Sequence, residues 1–296
     1  MLAAVGRLDE AVDALAIARR SAGQADLGPI AIEAANLARR RNQPRAALRL
    51  LHEAVRAAER PEVAGQAWIR IGVIELDRGR SAIGFAALAR ARDGLGACRG
   101  LRLRATAWAE EGLYRLMLGD LAAARDGLGH AVDDATHVGV GAIERLARFG
   151  LALTHRLQGD DDDAEAERIA ADARAVPRWD EPGVYALRAL ERRAAGALPE
   201  AWATLDAGLA RDRDRPNPAD AALLEAVALG WTGAPFTGAR GAAASGLGLA
   251  RHTPPYARAL VHAARGEATG RSLARRIGQQ LVPALVRLFG PAGDRP

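Results

Sequence analysis

The chain contains no lysine: all 41 basic side chains among its 296 residues are arginines. That absence excludes a good deal of chemistry. A phosphate-binding P-loop needs its lysine, a protein kinase needs its strand lysine, and Schiff-base catalysis needs a side-chain amine. Cysteine is almost absent too. Cys98 stands alone, so no internal disulfide can form, and a reducing compartment fits. Aromatic residues make up only 4% of the chain, a poor start for a β-sandwich. No stretch of about 18 uncharged apolar residues exists, so no membrane span is expected. Residues 1–30 carry no basic head followed by an unbroken apolar core. Arg7, Asp9, Glu10 and Asp13 interrupt the pattern, which argues against a secretory leader. A cytoplasmic location follows by elimination. Arginine in place of lysine, with heavy Ala and Gly, points to a GC-rich coding sequence and a bacterial source.

The charge excess is small. Forty-one basic residues face 36 acidic ones, a net +5. The isoelectric point near 10.4 overstates this, because only three Tyr and one Cys titrate between neutral and alkaline pH. The pattern predicts a charge-mixed, solvated helical surface and disfavours nucleic acid as a partner.

What is present is a returning phrase. Gly6-Arg7-Leu8-Asp9-Glu10-Ala11 comes back as Gly119-Asp120-Leu121-Ala122-Ala123-Ala124, and again from Gly159 and from Gly196. Asn42-Gln43-Pro44 and Gly79-Arg80-Ser81 fill the gaps. The phrases start at 6, 42, 79, 119, 159 and 196, with spacings of 36 to 40, the signature of a repeat array. Each phrase has the chemistry of a turn between helices. Gly or Asn can adopt positive φ and end one helix, and an acid often follows to favour the start of the next. Apolar residues then recur at intervals of four and three: Ala11, Leu15, Ala18; Ala47, Leu51, Ala54; Gly84, Leu88, Ala91; Ala124, Leu128, Ala131. Each trio falls on one helical face. Trp68 and Trp108 each stand eleven residues before a turn glycine, with Gly72 and Gly112 four residues on. A small residue there lets paired helices approach closely.

These positions resemble the tetratricopeptide repeat family. Trp68 to Gly72 with Gly79 to Ala91 matches best, and Trp108 to Gly112 with Gly119 to Ala131 nearly as well. The match weakens in the next unit, where Arg148 replaces the bulky opener and Arg168 takes an apolar slot. In the unit after that, Gly208 stands where Ala is expected. The resemblance implies an all-α, right-handed superhelical solenoid of antiparallel helix hairpins, about 7–8 repeats. The array is read as residues 1–210. Residues 211–296 are read as degenerate repeats and C-terminal capping helices, with a glycine-rich segment over 230–248. Arg271 to Phe289 reads as one amphipathic segment that Pro283 kinks or divides. Only five residues precede Gly6, so the first helix of that unit is missing or the chain belongs to something longer.

No catalytic, metal or cofactor site emerges. The acidic run Asp160 to Asp163 lacks the alternation, central Gly and closing Glu of a calcium loop, and reads as the start of a helix. His130, Asp134 and His137 would share a helix face, but lack a fourth ligand. The Gly-x-Gly triplets at 127, 139 and 246 never reach the third glycine of a dinucleotide fingerprint and read as helix ends and loops. In the resembled family, first helices line the concave groove. Carried over, that places Asn36, Arg39, Arg40 and Arg70 in a groove suited to a carboxylate-bearing or acidic peptide.

The resemblance therefore implies a non-catalytic interaction scaffold or regulatory module of a bacterial signalling or transcription-regulating system. Its partner would be a protein or peptide, with an ATPase or kinase domain upstream. The alternative is a free-standing sensor of a peptide or small ligand. A helical enzyme or a nucleic-acid binder is a weaker reading.

Overall fold

A computed structural model describes residues 8–96, 100–173, 182–214, 218–232 and 254–291. Every regular element among them is helical. In order these are α1 (Leu8–Ser21), α2 (Gln24–Arg40), α3 (Pro44–Ala57), α4 (Pro61–Asp77), α5 (Ser81–Gly96), α6 (Leu101–Leu118), α7 (Leu121–His137) and α8 (Gly141–Gln158). There follow α9 (Asp161–Ala173), α10 (Pro182–Ala194), α11 (Leu198–Asp214), α12 (Pro218–Thr232), α13 (Pro255–Ala264), α14 (Ala268–Ile277) and α15 (Pro283–Leu288). Contacts divide the chain into two compact units. One comprises Met1–Leu76 and Arg80–Ala107, the other Asp77–Gly79 and Trp108–Pro296.

The turn residues sit where the repeat places them. Asn42, Gly79, Gly119, Gly159 and Gly196 all adopt positive φ, between 55° and 90°, and Gly266 does the same in a later turn. Each terminates one helix and hands the chain to the next, as the left-handed region demands. The acid after the turn serves as foreseen at Asp120, whose Oδ1 accepts from Ala123 N at 3.3 Å. Asp161, Asp162 and Asp163 form the first turn of α9. Gly6, Cys98 and the glycine-rich stretch from 233 to 248 lie outside the described residues.

In the first unit, α1 packs on α2 and α2 on α3. The seam is the predicted one: Ala47, Leu51 and Ala54 are fully buried, as are Leu88 and Ala91. Ala47, Leu51 and Ala54 join Ala31, Ile32 and Ala35 of α2 and Ala67, Ile71 and Ile74 of α4 in an apolar core. The leading trio is weaker; Ala11 is buried but Leu15 and Ala18 are only half-buried. At Gly72 an added Cβ would lie 2.8 Å from Leu88 Cγ, so the leucine seats in the space the glycine leaves. Trp68 is half-buried and carries the exposed Arg90 guanidinium 5.0 Å above its ring, an arrangement with a cation–π component.

The second unit repeats the device. Ala124, Leu128 and Ala131 are fully buried, and a Cβ at Gly112 would lie 2.6 Å from Leu128 Cγ. His130 lies on Trp108 at 4.7 Å, the position Arg90 holds over Trp68 one repeat earlier. Gly127 and Gly129, expected at a helix end, lie inside α7. Gly127 is there because α7 crosses α6 closely: an added Cβ would sit 3.3 Å from Gly112 Cα. Helix α8 packs on α7, α9 and α10, and α10 on α11 and α12.

The last three helices do more than end a stack. The single segment expected over 271–289 breaks earlier than Pro283. Gly278 closes α14 with φ 71°, and Pro283 instead opens α15 at its first position, where its missing N–H costs nothing. Between the two helices the chain reaches far back. Gln280 N donates to Leu118 O at 2.7 Å, and Gln279 Nε2 to Met117 O at 2.8 Å. Ile277 and Pro255 lie beside the Gly79 turn. Near the end of α15, Trp231 Nε1 donates to Leu288 O at 2.8 Å. Arg193 donates to the carbonyls of Leu288, Gly290 and Pro291. In an ideal solenoid each repeat touches only its neighbours; here the C-terminal helices fasten to the ends of α6, α10 and α12.

Candidate functional site

Asn36, Arg39 and Arg40 lie on the last two turns of α2, and Arg70 on α4. All four are half-buried. Their helices share one apolar core. Asn36 Nδ2 donates to Glu33 Oε2 at 3.3 Å, and Arg39, Arg40 and Arg70 each have an interaction within the chain. The four thus lie on first helices of adjacent hairpins, partly exposed and partly engaged.

The positions where the repeat pattern fails carry ion pairs. Arg148, in the tryptophan position, donates to Glu144 Oε1 at 3.1 Å and to Glu167 Oε2 at 2.7 Å. Arg168, in the position of Leu88 and Leu128, pairs with Glu165 and with Asp172 at 3.0 Å. Asp172 also meets Arg188 of α10 at 2.7 Å. Arg156 reaches the fully buried Glu191 at 3.1 Å and Asp161 at 3.1 Å. Burial pushes the Glu191 carboxyl above its usual range, although Arg156 and Arg168 oppose the shift. Arg148 and Arg168 are thus each matched by acids on their own helix, and Arg148 also by Glu167 on the facing one. Glu191 without Arg156 would be a buried, unpaired charge.

A second polar cluster is buried at the ends of α4, α6 and α13. Tyr114 and Tyr256 meet edge to face at 5.5 Å, and Tyr114 Oη donates to Asp77 Oδ1. Burial and the Asp77 charge push both phenols well above their ordinary range. Phenols held neutral this firmly act as hydrogen-bond donors, and the contact ties Asp77 to α6.

A cavity of about 520 Å³ opens between α13 and α14. Its lining includes Arg258, His262, Thr269, Ser272, Leu273 and Arg276. No sequence motif marked it, and His262 reads from sequence as one of several scattered histidines. Its Nδ1 lies 2.8 Å from Glu267 Oε2, and that carboxylate makes no capping bond to α14. Neither guanidinium of the cavity pairs with a carboxylate among the described residues, and Arg258 Nε is buried with no hydrogen-bond partner. Burial and the nearby Arg276 charge both lower the Arg258 pKa. A sequence signal did exist: no acid stands three or four residues from Arg258 or Arg276, so neither has an intrahelical partner.

Elsewhere, His130 is occupied by Trp108, and no group of three metal-ligating side chains gathers among the described residues. No described helix is long and apolar enough to cross a membrane. No protein-family model matches the sequence, and no curated protein is similar enough to be reported as a relative.

Proposed function

We propose that the chain is a right-handed superhelical solenoid of about seven or eight helix hairpins, acting as a non-catalytic interaction scaffold. Its setting would be a bacterial signalling or transcription-regulating system in the cytoplasm, and its partner an acidic protein segment or peptide. One observation carries this reading. The hairpins bury their Ala-Leu-Ala seams completely at 47–54 and 124–131, while Asn36, Arg39, Arg40 and Arg70 remain partly exposed on first helices of adjacent hairpins. A repeat built this way spends its apolar residues on stacking and leaves polar side chains for recognition. Arginine suits that role because its planar fork grips carboxylates in pairs. The buried ionisable groups of α8 and α10 pair with one another between helices, so they read as architecture rather than as acid and base for a reaction.

The test is fluorescence anisotropy of the full chain with labelled peptides of equal length, acidic or neutral. The acidic peptide should bind, and the double substitution Arg39→Glu, Arg40→Glu should weaken it at least tenfold. Equal binding of both peptides, or no effect of the substitutions, overturns the groove assignment.

A further inference from the structure

We propose that the cavity between α13 and α14 is a binding site for a small phosphorylated ligand, held by Arg258 and Arg276. The inference is independent of the scaffold reading, because the site lies in a different part of the chain from Asn36, Arg39, Arg40 and Arg70. It starts from charge. Residues 254–291 contain six arginines and a single acid, Glu267. That excess equals the net charge of the whole chain, +5, so the remainder is balanced and the imbalance is local. Within the segment, Glu267 faces His262 and is not part of the cavity lining. Among the described residues, two guanidinium groups consequently line one cavity with no carboxylate paired to either.

Like charges do not share a confined space without cost. Most other arginines of the second unit with described side-chain contacts have a partner: Arg148, Arg156, Arg168 and Arg188 meet acids, and Arg193 meets carbonyls. Arg258 differs in having no partner of either kind among the described residues. Its Nε is buried and unbonded, as are those of Arg70, Arg115, Arg145 and Arg188, but those four are engaged elsewhere in the chain. Buried donors left open are uncommon and call for an explanation. A bound anion supplies one.

The chemistry narrows the class of anion. Two uncompensated positive charges match a phosphomonoester, which carries about −1.5 to −2 at neutral pH, better than a single carboxylate. The hydroxyls of Thr269 and Ser272 add two neutral donors from α14, and a phosphate presents three acceptor oxygens to receive donors from both helices. Leu273 provides an apolar wall. The volume, about 520 Å³, falls within the roughly 300–1,000 Å³ of small-molecule pockets, which favours a compact ligand over a nucleic-acid strand.

The experiment is isothermal titration of the full chain at fixed ionic strength with inorganic phosphate, phenyl phosphate and acetate. Both phosphates should bind at one saturable site, and acetate at least tenfold more weakly. Arg258→Gln and Arg276→Gln should each weaken phosphate at least tenfold. Arg271→Gln, which removes an exposed charge from the same helix outside the cavity, should leave it unchanged. The two cavity substitutions should also raise the melting temperature of the unliganded protein, because each relieves the repulsion. Arg276 is exposed, so its variant decides the matter even if Arg258→Gln impairs folding. Absence of saturable phosphate binding overturns the site. So does an equal loss in Arg271→Gln, which would reveal diffuse charge attraction, or acetate binding as tightly as phosphate.

Discussion

Two glycines with the same backbone conformation separate two costs at the level of single residues. Gly159 has φ 90° and open space around it, whereas Gly119 has φ 84° and the backbone carbonyl of Gln280 where a methyl would go. Gly159→Ala should cost about 1–2 kcal/mol, the penalty for an L-residue in the left-handed region. Gly119→Ala should cost clearly more, since the chain at Gln280 must also move. Urea denaturation of the two variants makes the comparison; equal losses would contradict the close approach. Glu191 offers a pH signature. Its folded-state pKa lies above the ordinary value of 4.5, so the folded protein binds its proton more tightly than the unfolded chain. The stability it contributes is complete below that ordinary value and is lost as pH rises through the higher folded one. Glu191→Gln removes this dependence. As pH rises above that ordinary value the wild type should lose stability relative to the variant, read as a widening gap in urea midpoint; a constant gap refutes the shift.

Among helices, the sequence was legible where side chains repeat and illegible where backbone does the holding. Turns at 42, 79, 119, 159 and 196 and the buried trios follow from spacing alone, because a left-handed turn and a close helix contact each demand small residues. Arg148 and Arg168 read as decay of the pattern, yet each has acidic partners. Those partners lie on the same helix or a facing one, which a residue-by-residue match to a repeat does not weigh. The return of the chain after Gly278 was not legible at all. Gln279 meets the carbonyl of Met117 across 162 positions, and a bond to a main-chain carbonyl leaves no mark on the residue that accepts it. Gln279 is buried and also reaches Tyr256 O at 3.3 Å. Gln279→Ala should therefore cost about 1–3 kcal/mol and speed amide exchange in α14 and α15, while leaving exchange in α3 unchanged. Uniform exchange in all helices would show that the contact does not anchor this segment. The cavity leaves little trace in the sequence for a related reason: its two arginines sit 18 positions apart on separate helices, and only the absence of nearby acids flags them.

At the scale of the whole molecule, the proposed roles divide along the chain. Hairpins built on Ala-Leu-Ala seams form a repeating frame, first helices α2 and α4 are proposed to meet a partner, and the basic C-terminal helices are proposed to hold a separate anion site. The excess charge lies in that last segment, so salt should weaken phosphate binding there more than it alters the stability of the hairpins. The central claim is that first helices, rather than seam helices, meet the partner. Hydrogen–deuterium exchange of the full chain with and without the acidic peptide tests it most directly. Exchange should slow in α2 and α4 and stay unchanged in α3 and α5. Protection confined to α3 and α5, or no protection in any helix at saturating peptide, would contradict it.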